Sequence, residues 1–146
     1  MENQQPLAEQ IDIVFTELFH KLRIATACED GLTGTQFFTL RYIVANQKVT
    51  ISDLASTINV TLSAITGLVN RLVKLELVRR QKSEGDRRNV WVFPTEKGIA
   101  LIKAANLRRQ ELITHYLQNI SPEALFGLKQ FCQHLTKSLQ INSTLE

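Results

Sequence analysis

The chain has 146 residues, 44% hydrophobic and 21% charged, the composition of an ordinary globular protein of one domain or two small lobes. No apolar run nears the ~20 residues that span a bilayer. The start Met1–Pro6 lacks the basic and apolar stretches of a signal peptide, so a cytoplasmic chain without membrane attachment is expected. Net charge is only +3, but its distribution is uneven: four basic against seven acidic residues in 1–70, seven against three in 71–88, six against four in 89–146. A short positive window marks either a polyanion partner or a solvated basic loop.

In chain order, residues 7–27 repeat Ile11, Val14, Phe15, Leu18, Phe19 and Leu22 at helical spacing and predict a long amphipathic helix. Thr33-Gly-Thr-Gln36 has capping-box spacing and opens a helix with Phe37, Leu40, Ile43 and Val44 on one face, running out near Asn46. Thr50-Ile-Ser-Asp53 opens another, with Leu54, Ala55 and Ile58 inward and Asn59 suited to a left-handed end. Thr61 or Ser63 caps the next, whose expected buried face is Leu62, Ile65, Leu68, Val69, Leu72 and Leu75. Two short helices so closely joined read as a helix-turn-helix.

The period then changes. Val78–Lys82 and Asn89–Phe93 read as strands, and Ser83–Arg88, with Gly85 as turn-former, joins them into a hairpin with a charged tip. Pro94 is expected to stop the second strand and Thr95 to cap a helix over 96–118 carrying Ile99, Ile102, Ala105, Leu112 and Tyr116. Ser121-Pro122 opens a last helix with Leu125, Leu128, Phe131, Cys132, Leu135 and Leu139. The expected fold class is therefore mainly α with a small β-hairpin wing. It is a winged helix-turn-helix lobe over 33–94, flanked by a dimerisation helix in 1–32 and completing helices in 95–146. One chain offers the terminal helices little core, and wet apolar faces are costly, so a two-fold homodimer is expected.

The chain resembles the MarR family of bacterial regulators, the multiple-antibiotic-resistance regulators, over nearly its whole length. The resemblance is carried by Ser63-Ala-Ile-Thr-Gly-Leu-Val-Asn-Arg-Leu72, Leu77-Val-Arg-Arg80, Asp86-Arg-Arg88 and Val90 through Thr95-Glu-Lys-Gly98. Two positions depart from the pattern. Glu76 stands where the family has the Gly that ends the helix permissively, and Pro94 stands where it has Leu.

Such a recognition helix fits the major groove of double-stranded DNA, where base edges carry a distinguishable code. Thr61, Ser63, Thr66, Asn70 and Arg71 lie off the apolar face and are the candidate contacts, with Lys74 beyond them; Gly67 leaves room for close approach. The resemblance implies that one of the wing residues Arg87 and Arg88 enters a minor groove, while Asp86 orients an Arg rather than touching phosphate. Arg79, Arg80 and Lys82 are generic phosphate candidates. Strand alternation puts Arg79 and Arg80 on opposite faces, so at most one faces DNA. The resemblance also implies a small aromatic or phenolic effector, for which Phe15, Phe19, Phe37, Phe38 and Tyr42 are candidate pocket residues or plain core.

No Gly-rich phosphate loop, nucleophile elbow or paired-carboxylate pocket can be placed, so no enzyme, cofactor or metal is expected. His20, His115 and His134 are scattered. Cys28, followed by two acids, and Cys132, on an apolar face, make poor redox sensors. The expectation is a homodimeric regulator of transcription, a repressor in preference to an activator, on a pseudo-palindromic operator. The alternative is a winged helix that contacts protein or RNA.

Overall fold

The computed structural model describes residues 6–27, 31–82 and 90–139. Its elements are α1 (Leu7–Ala27), α2 (Gly34–Asn46), β1 (Val49–Thr50), α3 (Ile51–Ile58), α4 (Leu62–Lys74), β2 (Val78–Lys82), β3 (Val90–Pro94), α5 (Glu96–Leu117) and α6 (Pro122–Ser138). Among the described residues no helix is long and apolar enough to cross a membrane.

Local chemistry starts and stops these helices. At α2 the Thr33 hydroxyl accepts from the Gln36 amide at 3.3 Å while the Gln36 side chain accepts from the Thr33 amide at 3.0 Å. Thr50 and Asp53 form the same reciprocal box at α3, and Thr61 and Ser121 cap α4 and α6 through the amides of Ala64 and Ala124. Asn59 ends α3 in the left-handed region at φ 56° and ψ 50°, and the Val60 amide closes back on the Ala55 carbonyl at 3.0 Å.

The three strands form one antiparallel sheet in the order β1-β3-β2, with Val92 opposite both Val49 and Arg80. Pro94 is the last residue of β3 instead of its stop. The Thr95 amide bonds the Leu77 carbonyl of the chain entering β2, so by alternation the Pro94 nitrogen faces the other edge. There the two-residue β1, which pairs only with Trp91 and Val92, does not reach, and a missing N–H leaves no gap.

Residues 1–109 form one compact unit and 110–146 a second, the division falling within α5. The core of the first unit is Leu40 and Ile43 from α2, Leu54 from α3, Ile65, Val69 and Leu72 from α4, Val92 from β3 and Ile102 and Ala105 from α5. Leu62 corrects the expected α4 face: it is 57% exposed, and the buried side of α4 begins a turn later at Ile65. In the second unit α6 has no buried residue, and Phe126, Leu128, Phe131 and Leu139 are exposed.

The end of α4 forms without glycine. The Leu77 amide bonds the Leu72 carbonyl at 3.0 Å, the Glu76 amide bonds Val73, and Glu76 itself stands at φ +62°. This is a Schellman closure, completed by the apolar contact partners Leu72 and Leu77, both buried. Packing of Leu77 holds a side-chain-bearing residue where backbone sterics favour glycine. Glu76→Gly is accordingly expected to raise stability by about 0.5–1 kcal/mol in urea unfolding. The exposed Lys97–Glu76 pair that it removes, at 3.4 Å, is worth little. A variant less stable than the parent would show that this end is not strained.

Candidate nucleic-acid interface

Helix α4 divides its side chains sharply. Ile65, Val69 and Leu72 anchor one side in the core, while Ser63, Gly67, Asn70 and Lys74, spaced four, three and four apart, run along the outside. Arg71 flanks that row, and the helix carries no acidic residue. Ser63, Asn70, Arg71 and Lys74 are exposed and have no side-chain partner among the described residues. Thr61 and Thr66 are placed differently. The Thr61 hydroxyl caps the helix, and the half-buried Thr66 hydroxyl donates to the Leu62 carbonyl at 2.7 Å. Nothing lies within 4 Å of where a Cβ on Gly67 would stand.

Leu62, at the start of α4, has the phase of a core residue but is exposed. Its position one turn before the buried face begins is what leaves it free for an outside contact.

Asp86, Arg87 and Arg88, like Cys28, lie outside the described residues. The strands leading to the wing tip are described, and alternation separates their cations. Arg79 stacks its guanidinium 4.4 Å from the centre of the Phe93 ring, and Lys48 sits 4.0 Å over Trp91 on the same sheet face. Arg80 faces α4 and donates from Nη2 to the Thr66 carbonyl at 3.1 Å. Burial pushes its pKa down.

Thr95 and Lys97 tie the end of α4 to the start of α5. Thr95 Oγ1 donates to the Glu76 carbonyl at 2.7 Å and accepts from the Gly98 amide at 3.1 Å. Lys97 Nζ donates to the Leu75 carbonyl at 2.9 Å. The Thr95–Gly98 spacing thus joins the end of α4, the end of β3 and the start of α5.

Of the aromatic pocket candidates, Phe19, Phe37 and Phe38 come together with Leu22, Gly34 and three arginines, Arg23, Arg41 and Arg109, around a cavity of about 390 Å³. Phe15 packs its ring 6.2 Å from Phe19, and Tyr42 shares a hydrogen bond with Thr57; neither lines this cavity. Burial, and then the neighbouring Arg41 charge, lowers the Arg109 pKa.

A helix-turn-helix whose second helix shows a polar and basic outer row, followed by an antiparallel hairpin on the same core, defines the winged helix-turn-helix class. Residues 30–89 match a model described as MarR family. The chain is 23% identical to the transcriptional repressor MdtR of Bacillus subtilis over 95% of its own length and 89% of that protein. It is 38% identical to the repressor NicR of Pseudomonas putida over 53% of its length, and 29% identical to the regulator YsmB of Bacillus subtilis over 65%. These two matches span 49% of NicR and 65% of YsmB.

Among solved structures, a mutant of S. aureus MepR superposes with a TM-score of 0.82 at 22% identity, covering 92% of this chain and 99% of that one. Another MepR mutant, bound to an oligodeoxyribonucleotide, gives 0.74 at 22% identity over 93% and 99%. NadR in complex with 4-hydroxyphenylacetate gives 0.62 at 22% identity over 94% and 96%. Over residues 30–89 the chain is therefore similar to the MarR family, and its fold is that of the winged helix-turn-helix structures on which it superposes.

Proposed function

We propose that this chain is a homodimeric repressor that binds a pseudo-palindromic operator in double-stranded DNA. In this reading α4 enters the major groove and the wing tip enters the minor groove. The observation that carries it is the outer row Ser63, Gly67, Asn70 and Lys74, with Arg71 beside it: polar, free of acid and without side-chain partners among the described residues. Ser63, Asn70 and Arg71 reach base edges or phosphate, and Leu62 offers an apolar contact for a thymine methyl. Thr61 and Thr66 keep the helix end in shape through their local hydroxyl bonds and assist the contact from there. The exposed apolar residues Ile13, Val14 and Phe19 of α1 and Phe126 and Phe131 of α6 are covered by a second copy. In this scheme 33–94 is the reading lobe, and 1–32 with 95–146 the dimerising part.

Selection of bound sequences from random duplex DNA tests the proposal. It is expected to return a palindrome with half-sites about one helical turn apart. Affinity should fall steeply with salt. Enrichment of no sequence, indifference to salt, or preference for RNA would instead favour an interaction module. At the wing, either Arg87→Ala or Arg88→Ala is expected to weaken operator binding about tenfold or more with the dimer intact. Unchanged gel-shift titrations for both would remove the wing from the interface.

The cavity of Phe19, Phe37, Phe38, Arg23, Arg41 and Arg109 suits a small aromatic or phenolic effector carrying negative charge, of the kind seen with NadR. Such a ligand relieves repression only by binding the two conformations of the dimer with different affinity.

A further inference from the structure

Arg80 occupies a costly position. From the middle of β2, opposite the buried Val92, it reaches α4 and donates Nη2 to the Thr66 carbonyl. That oxygen sits inside the helix and has a second lone pair for such a contact. Arg80 Nε is buried without an acceptor. No carboxylate among the described residues forms an ion pair with Arg80, so none of them neutralises it. A charge desolvated without a counterion destabilises, and so does a donor left unmet. A methionine or leucine would close the same seam between strand and helix without either penalty. The opposite-facing Arg79 shows no such strain, since its guanidinium lies open on Phe93.

The bond lands on the residue before Gly67, where α4 is barest on its outer side. We propose that Arg80 is a positioning residue that pins the wing strand to the recognition helix, so that the two meet DNA at one relative angle. Its effect is on discrimination between sequences, through geometry, and not on attraction to phosphate. The inference rests on the DNA-binding reading above.

The test compares Arg80→Met, which keeps the stem, and Arg80→Lys, which keeps the charge without the planar fork. Each full-length variant is titrated with the selected operator and with an unrelated duplex over a range of salt. Preference of the unaltered protein for its operator checks the DNA-binding reading by itself. With that preference present, both variants are expected to lose at least tenfold on the operator and about twofold or less on the unrelated duplex, with an unchanged salt slope. Thermal unfolding of Arg80→Met should be no lower than that of the parent. Equal losses on both duplexes, with a slope shallower by about one phosphate, would make Arg80 a plain backbone contact and overturn the proposal. So would operator binding by Arg80→Lys at the parent's affinity. If Arg80→Met does not fold, Arg80→Lys decides the matter alone.

Discussion

Gly98→Ala is expected to destabilise the protein by about 3 kcal/mol, seen as a large fall in the urea midpoint. The reason is space. A Cβ at Gly98 would run into the Leu77 carbonyl oxygen, with the Leu77 carbonyl carbon at 3.1 Å and Leu40 Cδ1 at 3.3 Å. The obstacle is backbone, so no rotamer change relieves it. Moving α5 away breaks the Thr95 amide bond to Leu77 and the Thr95 hydroxyl bond to Glu76. Each such bond is worth about 1 kcal/mol, on top of about 1–3 kcal/mol for overpacking. The gain of alanine over glycine within a helix returns at most about 1 kcal/mol. An Ala variant as stable as the parent would show that α5 slides freely and that the Thr95 junction does not matter.

Gly67→Gln is expected to do the reverse: stability rises by about 0.5–1 kcal/mol, while operator affinity falls at least tenfold, about 1.4 kcal/mol. Glycine inside a helix is a weakness, and at Gly67 no neighbour among the described residues requires it. A requirement from outside remains. In the major groove, a side chain in the middle of the outer row would hold α4 off the bases. Equal operator binding by Gly67→Gln and the parent would place DNA on another face of α4. Comparison of the two glycines separates a residue kept for the fold from one kept for the partner.

Much of the fold is legible in the sequence because its signals are local. Thr33–Gln36, Thr50–Asp53, Asn59 and Ser121–Pro122 each act within one turn of helix; the first, second and fourth start their helices and Asn59 ends α3, as the residue types dictate. Signals fail where a distant partner decides. Leu62 has the phase of a core residue, but the core behind it does not begin until Ile65. The two-residue β1 shows no alternation and exists through its pairing with β3. Glu76 argues against a left-handed turn, and the burial of Leu77 imposes one.

At the candidate site, alternation separated Arg79 from Arg80 but could not tell which faces α4, since that depends on how the hairpin folds over the helix. The arginines of the cavity come from α1, α2 and α5, far apart in sequence. One hint was available: Arg41 follows Phe37 by four residues and Phe38 by three, and so shares their side of α2.

The cation-covered ring on the sheet gives the protein a built-in optical probe. Trp91 is the chain's single tryptophan, so its intrinsic fluorescence originates at one place, on β3 beside Lys48. Indole emission responds to the local electric field, and a lysine ammonium 4.0 Å from the ring sets that field. Any displacement of Lys48 from the ring changes the emission without any attached dye. The contact between Lys48 and β3 can therefore be followed in solution, in real time, in the unlabelled native chain.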